Sequence, residues 1–179
     1  KPVTPVVTAA NKLYDGGLNA TLNAVWKSGD LVGSDEIELT VTGEFLTADV
    51  GIGKQVKITS HTAAGKNTDV GKYDITWPES TTASIEKEDA KLADKPVAAP
   101  NLKYTGSTYF LLVNGGATEN NIGKLEYSLR EKGEYSSEIP TGTDAGTYTV
   151  WYRVADSVNY TGIPAASIEV KIAKATPTI

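Results

Sequence analysis

The chain has 179 residues, no cysteine, no methionine and one histidine, and its formal net charge is −5. Without cysteine there can be no disulfide, thiolate metal site, iron–sulfur cluster or cysteine nucleophile, and any triad or His-rich metal site would rest on His61 alone. An acidic chain without a basic stripe argues against nucleic-acid binding and against anionic membrane surfaces, and no apolar run approaches the roughly 20 residues that a spanning helix needs.

From the N-terminus, the dominant hydrophobic period is two. Residues 36–42 turn Ile37, Leu39 and Val41 toward a core and Glu36, Glu38, Thr40 and Thr42 toward water. Residues 55–59 bury Val56 and Ile58, and residues 72–77 bury Tyr73, Ile75 and Trp77. Residues 86–93 carry the best helical signal, but the stretch is short and charged and holds one large apolar residue, Leu92; a solvated strand end or a single turn is the simpler reading. Pro96 and Pro100 follow, which sets a domain boundary near Ala93. Residues 124–130 alternate Leu125, Tyr127 and Leu129 with polar positions. Residues 148–154 bury Tyr148, Val150, Tyr152 and Val154, with Trp151 on the opposite face, and residues 168–172 bury Ile168, Val170 and Ile172. These are half-buried antiparallel strands. Turn chemistry separates them at Asp15-Gly16-Gly17, Ser28-Gly29-Asp30, Asn114-Gly115-Gly116 and Pro140-Thr141-Gly142, with Asn114-Gly115 suited to a type I′ hairpin.

Two signatures recur. Tyr14-Asp15-Gly16 is matched by Tyr104-Thr105-Gly106, and Asp69-x-Gly71-x-Tyr73 by Asp144-x-Gly146-x-Tyr148. The first pair is offset by 90 positions and the second by 75, which implies a longer first module with an extra hairpin between Asp30 and Gly53. In the second signature the Tyr opens a strand, where its hydroxyl can bond backbone a few residues upstream. Gly71 and Gly146 would permit the tight turn, and Asp69 and Asp144 would cap it.

The first module resembles the YDG domain of bacterial surface adhesins. The matching residues are Lys12-Leu13-Tyr14-Asp15-Gly16, Ala20-Thr21-Leu22, Gly43-Glu44-Phe45, the run from Asp49 to Val56, and Gly71-Lys72-Tyr73. Gly17 stands where that family commonly has Thr. The second module resembles Ig-like or MBG-type repeats of bacterial surface proteins, through Leu102-Lys103-Tyr104-Thr105-Gly106, Leu125-Glu126-Tyr127-Ser128-Leu129, the run from Ile139 to Tyr148, and Tyr152-Arg153-Val154. The closing residues 174–179 resemble the opening of a further repeat, so the chain is expected to be a fragment. The resemblance implies an extracellular protein of the bacterial cell surface or wall, and it carries no catalytic residues to transfer.

The expected fold is all-β, with two tandem Ig-like antiparallel sandwiches over residues 1–93 and 94–179; a β-grasp module is the alternative and needs a helix packed on the sheet. The expected function is a non-enzymatic stalk or spacer with weak adhesion, monomeric, with neighbouring repeats as partners and no cofactor. A carbohydrate- or host-protein-binding module is the runner-up, with Trp151 as the ligand contact, and an accessory domain of a secreted glycoside hydrolase is a third reading. Trp26 and Trp77 read as core, and His61 as a loop residue just past a strand. The acid clusters Asp35-Glu36 and Glu86/Glu88/Asp89 read as surface charge, not as a glycosidase pair. Asp15, Asp69 and Asp144 could offer oxygen ligands to Ca²⁺, with turn capping the simpler role, and no Lys–Asn isopeptide motif stands out. Asn19 and Asn159 fit glycosylation sequons, read as chance matches.

Overall fold

The computed structural model describes residues 1–176. They are built of β-strands, with two 3₁₀ turns, Val70–Lys72 and Glu119–Asn121, and no α-helix among the described residues. That removes the β-grasp alternative. The chain divides into two compact units, Lys1–Lys87 and Glu88–Ile179. The division precedes the expected boundary at Ala93, because Glu88–Asp89 pairs with Tyr160–Thr161 and Leu92–Asp94 with Ala117–Thr118. The units are similar in length, so the first module is not the longer one.

The first unit is organised on a five-stranded sheet in the order Lys12–Leu13, Ser80–Glu86, Gly51–Gly65, Ile37–Phe45, Asn19–Ala20. Its long hairpin follows from the period-two pattern: Ile37, Gly43 and Phe45 are buried, whereas Glu38, Thr40, Thr42 and Glu44 are exposed. Phe45, Val56, Ala83 and Ile85 form one core cluster, against which Ala9 and Leu22 of the Val6–Ala9/Leu22–Val25 ribbon pack. Full burial of a side chain such as Phe45, Ile85 or Val56 contributes about 1.5–3 kcal/mol. Val3, Ile37 and Tyr73 form a second cluster, on which Trp26 packs.

The second unit is organised on a sheet in the order Leu102–Lys103, Ile163–Ala173, Gly146–Val154, Leu125–Ser128. Val150, Tyr152, Val154, Val170 and Ile172 face the core and meet Leu111 and Leu112 from short paired segments outside that sheet.

Three local expectations change. Leu129 is exposed, because its strand ends at the buried Ser128. Residues 140–142 are not a turn; Thr141–Gly142 pairs with Tyr109–Phe110. Asn114-Gly115 is not a type I′ turn: the positive φ falls on Gly116 (85°), and Asn114 Oδ1 accepts the Gly116 N–H at 2.7 Å. The expected opening of a further repeat at 174–179 lies partly outside the described residues, at 177–179.

Strand direction follows a rule in both units. Lys12–Leu13 runs parallel to Ser80–Glu86, and Pro2–Val3 to Asp74–Ile75. Leu102–Lys103 runs parallel to Ile163–Ala173, and Glu88–Asp89 to Tyr160–Thr161. Each parallel pair joins an opening segment of a unit to a closing one, and the remaining ladders among the described residues are antiparallel.

Candidate functional site: two tyrosine signatures and an aromatic groove

The Tyr-x-Gly signature occupies equivalent places in the two units. Each follows a two-residue strand that runs parallel to the last strand, and the Tyr N–H extends that ladder. Tyr14 N donates to Glu86 O, and Tyr104 N to Ala173 O, each at 2.8 Å. The turn after Tyr14 closes on Asp15, whose Oδ1 accepts the Gly17 N–H at 2.8 Å and the Lys12 ammonium at 2.7 Å. Those bonds, led by Lys12, hold the Asp15 carboxyl below its ordinary range. Gly16 takes φ = 73°, which L side chains rarely adopt. In the second unit Gly106 takes φ = 80°, and Thr105 replaces the Asp; its hydroxyl bonds Tyr109, whose hydroxyl reaches Lys103 O. Tyr14 packs on its core cluster, whereas Tyr104 is exposed.

The second signature is not equivalent between the units. Tyr148 lies in the long strand Gly146–Val154, beside the last strand, and donates its hydroxyl to Asp144 O at 2.9 Å. That is a tyrosine corner. Tyr73 instead follows the 3₁₀ turn and leads into Asp74–Ile75. Its hydroxyl donates to Asp35 Oδ2 at 2.6 Å and accepts the Val32 N–H at 2.9 Å. Asp35 also accepts from the Thr68 hydroxyl. The Thr68 and Tyr73 bonds hold Asp35 below its ordinary range, and the Asp35 bond pushes Tyr73 up. The 75-residue offset therefore compares unlike positions and does not measure an inserted hairpin. Asp69 Oδ1 caps its turn through the Gly71 N–H at 2.9 Å. Neither Gly71 nor Gly146 has positive φ, so neither supplies the tight turn expected of it. Among the described residues, no group of three or more His, Asp or Glu is placed to hold a metal ion.

The tryptophans redistribute the candidate contacts. Trp26 packs on a core cluster, and its indole N–H donates to Ile37 O at 2.9 Å. Trp151 is half-buried, flanked across the ladders by Ser128 and Ser167. Trp77 is not core. Its ring stacks on His61 with centroids 4.5 Å apart and planes 16° from parallel.

A backbone irregularity makes that stack. His61 lies within the strand Gly51–Gly65, not in a loop. The register moves from Gly43↔Ile58 to Thr42↔Ser60, skipping Thr59. The skip brings His61 opposite Val41, onto the face that carries Ile58 and Ala63. The pairing of this strand with Ser80–Glu86 runs out at Lys57↔Ser80. Beside that end a groove of about 500 Å³ opens, lined by His61, Trp77, Lys57, Glu79, Gln55 and Leu46 among others. Sequence reasoning missed it because its residues are scattered over two strands and a bend, and only the bulge brings His61 to Trp77.

Residues 1–84 match the family model of the YDG domain. No curated protein matches the chain significantly.

Proposed function

We propose that this chain is a non-enzymatic structural segment of a bacterial cell-surface protein, a monomeric stalk or spacer that carries tension between neighbouring repeats. The YDG match over residues 1–84 supports the surface-protein reading. The observation that carries the mechanical reading is the parallel pairing of opening and closing strands in each unit. Tension enters a unit through its two ends. Where the end strands are parallel neighbours, that pull runs along the ladder and loads its hydrogen bonds together, in shear. Antiparallel end strands would instead peel one bond at a time. Resistance to force is a matter of unfolding rate, so a ladder that must break at once raises it without requiring a larger equilibrium stability.

Single-molecule extension of the full chain between terminal handles tests this. Two unfolding events are expected, one per unit. Tyr14→Pro and Tyr104→Pro, which remove the N–H groups bonded to Glu86 O and Ala173 O, each lower the force of their own unit only. Forces that neither substitution changes would defeat the proposal.

A further inference from the structure

Trp77 is a large aromatic that belongs to neither core cluster of its unit. It is spent instead on a stacked pair with His61, beside a groove. Two charged groups line the same groove with their heads unengaged. Among the described residues, neither the Lys57 ammonium nor the Glu79 carboxylate has an ion-pair or hydrogen-bond partner. Gln55, also in the lining, is held by its amide against the Ser80 hydroxyl at 3.3 Å. The site thus joins a flat aromatic platform, a free donor, a free acceptor and a fixed amide.

We infer that this groove binds a neutral saccharide, with a pyranose ring against the His61–Trp77 platform and its hydroxyls on Lys57 and Glu79. The C–H face of a sugar ring removes apolar aromatic surface from water while its rim stays polar, which suits an aromatic that is half wet. A cation and a carboxylate lining one groove cancel for an ionic ligand: either sign of charge is attracted by one and repelled by the other. A neutral polyol uses both, accepting from the ammonium and donating to the carboxylate. The stacked pair is already ordered, so little rotamer freedom is lost on binding. The volume falls within the range of about 300–1,000 Å³ of small-ligand sites. An extended peptide would draw its affinity from main-chain bonds along an open sheet edge; the groups offered here are side chains. The inference goes beyond the spacer reading and does not depend on it.

The test is titration of the full ¹⁵N-labelled chain with cellotetraose, mannotetraose, maltotetraose and chitotetraose. The three tryptophan indole N–H resonances are followed, and that of Trp77 is identified by its loss in Trp77→Phe. At least one tetrasaccharide is expected to shift the Trp77 resonance saturably at millimolar concentration, with those of Trp26 and Trp151 unmoved. Lys57→Ala and Glu79→Gln are each expected to weaken binding about tenfold or more, as loss of a charge-assisted hydrogen bond does. Both leave the melting temperature unchanged, so they decide the matter even if Trp77→Ala fails to fold. The inference falls if no tetrasaccharide moves Trp77, or if the shift survives both Lys57→Ala and Glu79→Gln. It falls equally if a sulfated oligosaccharide or an extended peptide binds there in place of the neutral sugars.

Discussion

The Tyr73 hydroxyl donates to Asp35 at 2.6 Å across 38 residues of sequence, and the same oxygen accepts the Val32 N–H. One phenol thus ties the 32–35 loop to the Val70–Lys72 turn. Asn67 adds a second tie, accepting the Glu36 N–H and donating to Ser34 O. Tyr73→Phe keeps the buried ring and removes both hydroxyl bonds, leaving Val32 N and one Asp35 oxygen to water. A fall in the melting temperature of the first unit of more than about 4–8 °C is expected, since that is the size of one lost hydrogen bond in a domain of this length and two are lost here. Tyr148→Phe loses a single bond to Asp144 O and is expected to cost its unit less. Calorimetry of the two variants checks the ranking, and a larger loss for Tyr148→Phe would contradict it.

Asp35 and Asp15 both titrate below their ordinary range in the folded chain, Asp35 through Thr68 and Tyr73, and Asp15 through Lys12. A lowered folded value means that the unfolded chain takes up the proton first as pH falls. The stabilisation is therefore complete above about pH 4 and is lost as pH drops through the folded values. Tyr73, held up by Asp35, and Tyr127, held up by burial, have the opposite sign: their stabilisation is intact below about pH 10 and fades as pH rises past it. Urea unfolding against pH is expected to show an acid limb from the first unit and an alkaline limb from both. Asp35→Asn should flatten the acid limb. An acid limb of unchanged slope in that variant would assign the protons elsewhere.

The alternation of residues 36–42 or 168–172 is legible because side-chain period and burial coincide along one strand. The Tyr148 corner is legible because its partner, Asp144, is four residues away. The same letters around Tyr73 produce a different bond, because its partner Asp35 lies outside any local window. His61 is misread for a related reason. The period-two pattern of residues 55–59 breaks at the skipped Thr59, so a strand that runs on through His61 to Gly65 reads as ending there. The parallel ladders escape notice too, since short segments such as Lys12–Leu13 and Leu102–Lys103 are too brief to show a period.

The glycines of the second unit separate motif from need. Gly146 belongs to the repeated signature, yet a Cβ there meets no atom within 4 Å and its φ is ordinary. Gly142 stands outside the signature, yet a Cβ there would lie 2.8 Å from the Tyr148 ring and 3.1 Å from Leu111. Gly146→Ala is therefore expected to be neutral or to stabilise by up to about 1 kcal/mol, through the unfolded chain. Gly142→Ala pushes against the ring that forms the corner, and about 1–3 kcal/mol of destabilisation is expected from the overpacking. Chemical denaturation reads both, and a costly Gly146→Ala beside a silent Gly142→Ala would reverse the assignment.

Each unit holds its own core: Phe45, Val56, Ala83 and Ile85 with Val3, Ile37 and Tyr73 in the first, and Leu111, Val150, Val170, Ile172 and neighbours in the second. Each also contains both strands of its parallel ladders. A cut between Lys87 and Glu88 leaves all of these pairings intact. A cut after Ala93 strands Glu88–Asp89 and Leu92 without their partners Tyr160–Thr161 and Thr118, and exposes Ala90, a member of the second core. Residues 1–87 and 88–179 made separately are each expected to unfold in one cooperative transition. Residues 94–179 are expected to melt at least several degrees below 88–179, because the second core then loses the buried Ala90 and the Leu92 packed against it. Equal melting temperatures for the two versions of the second unit would show that the Glu88–Ala93 segment adds nothing to its core.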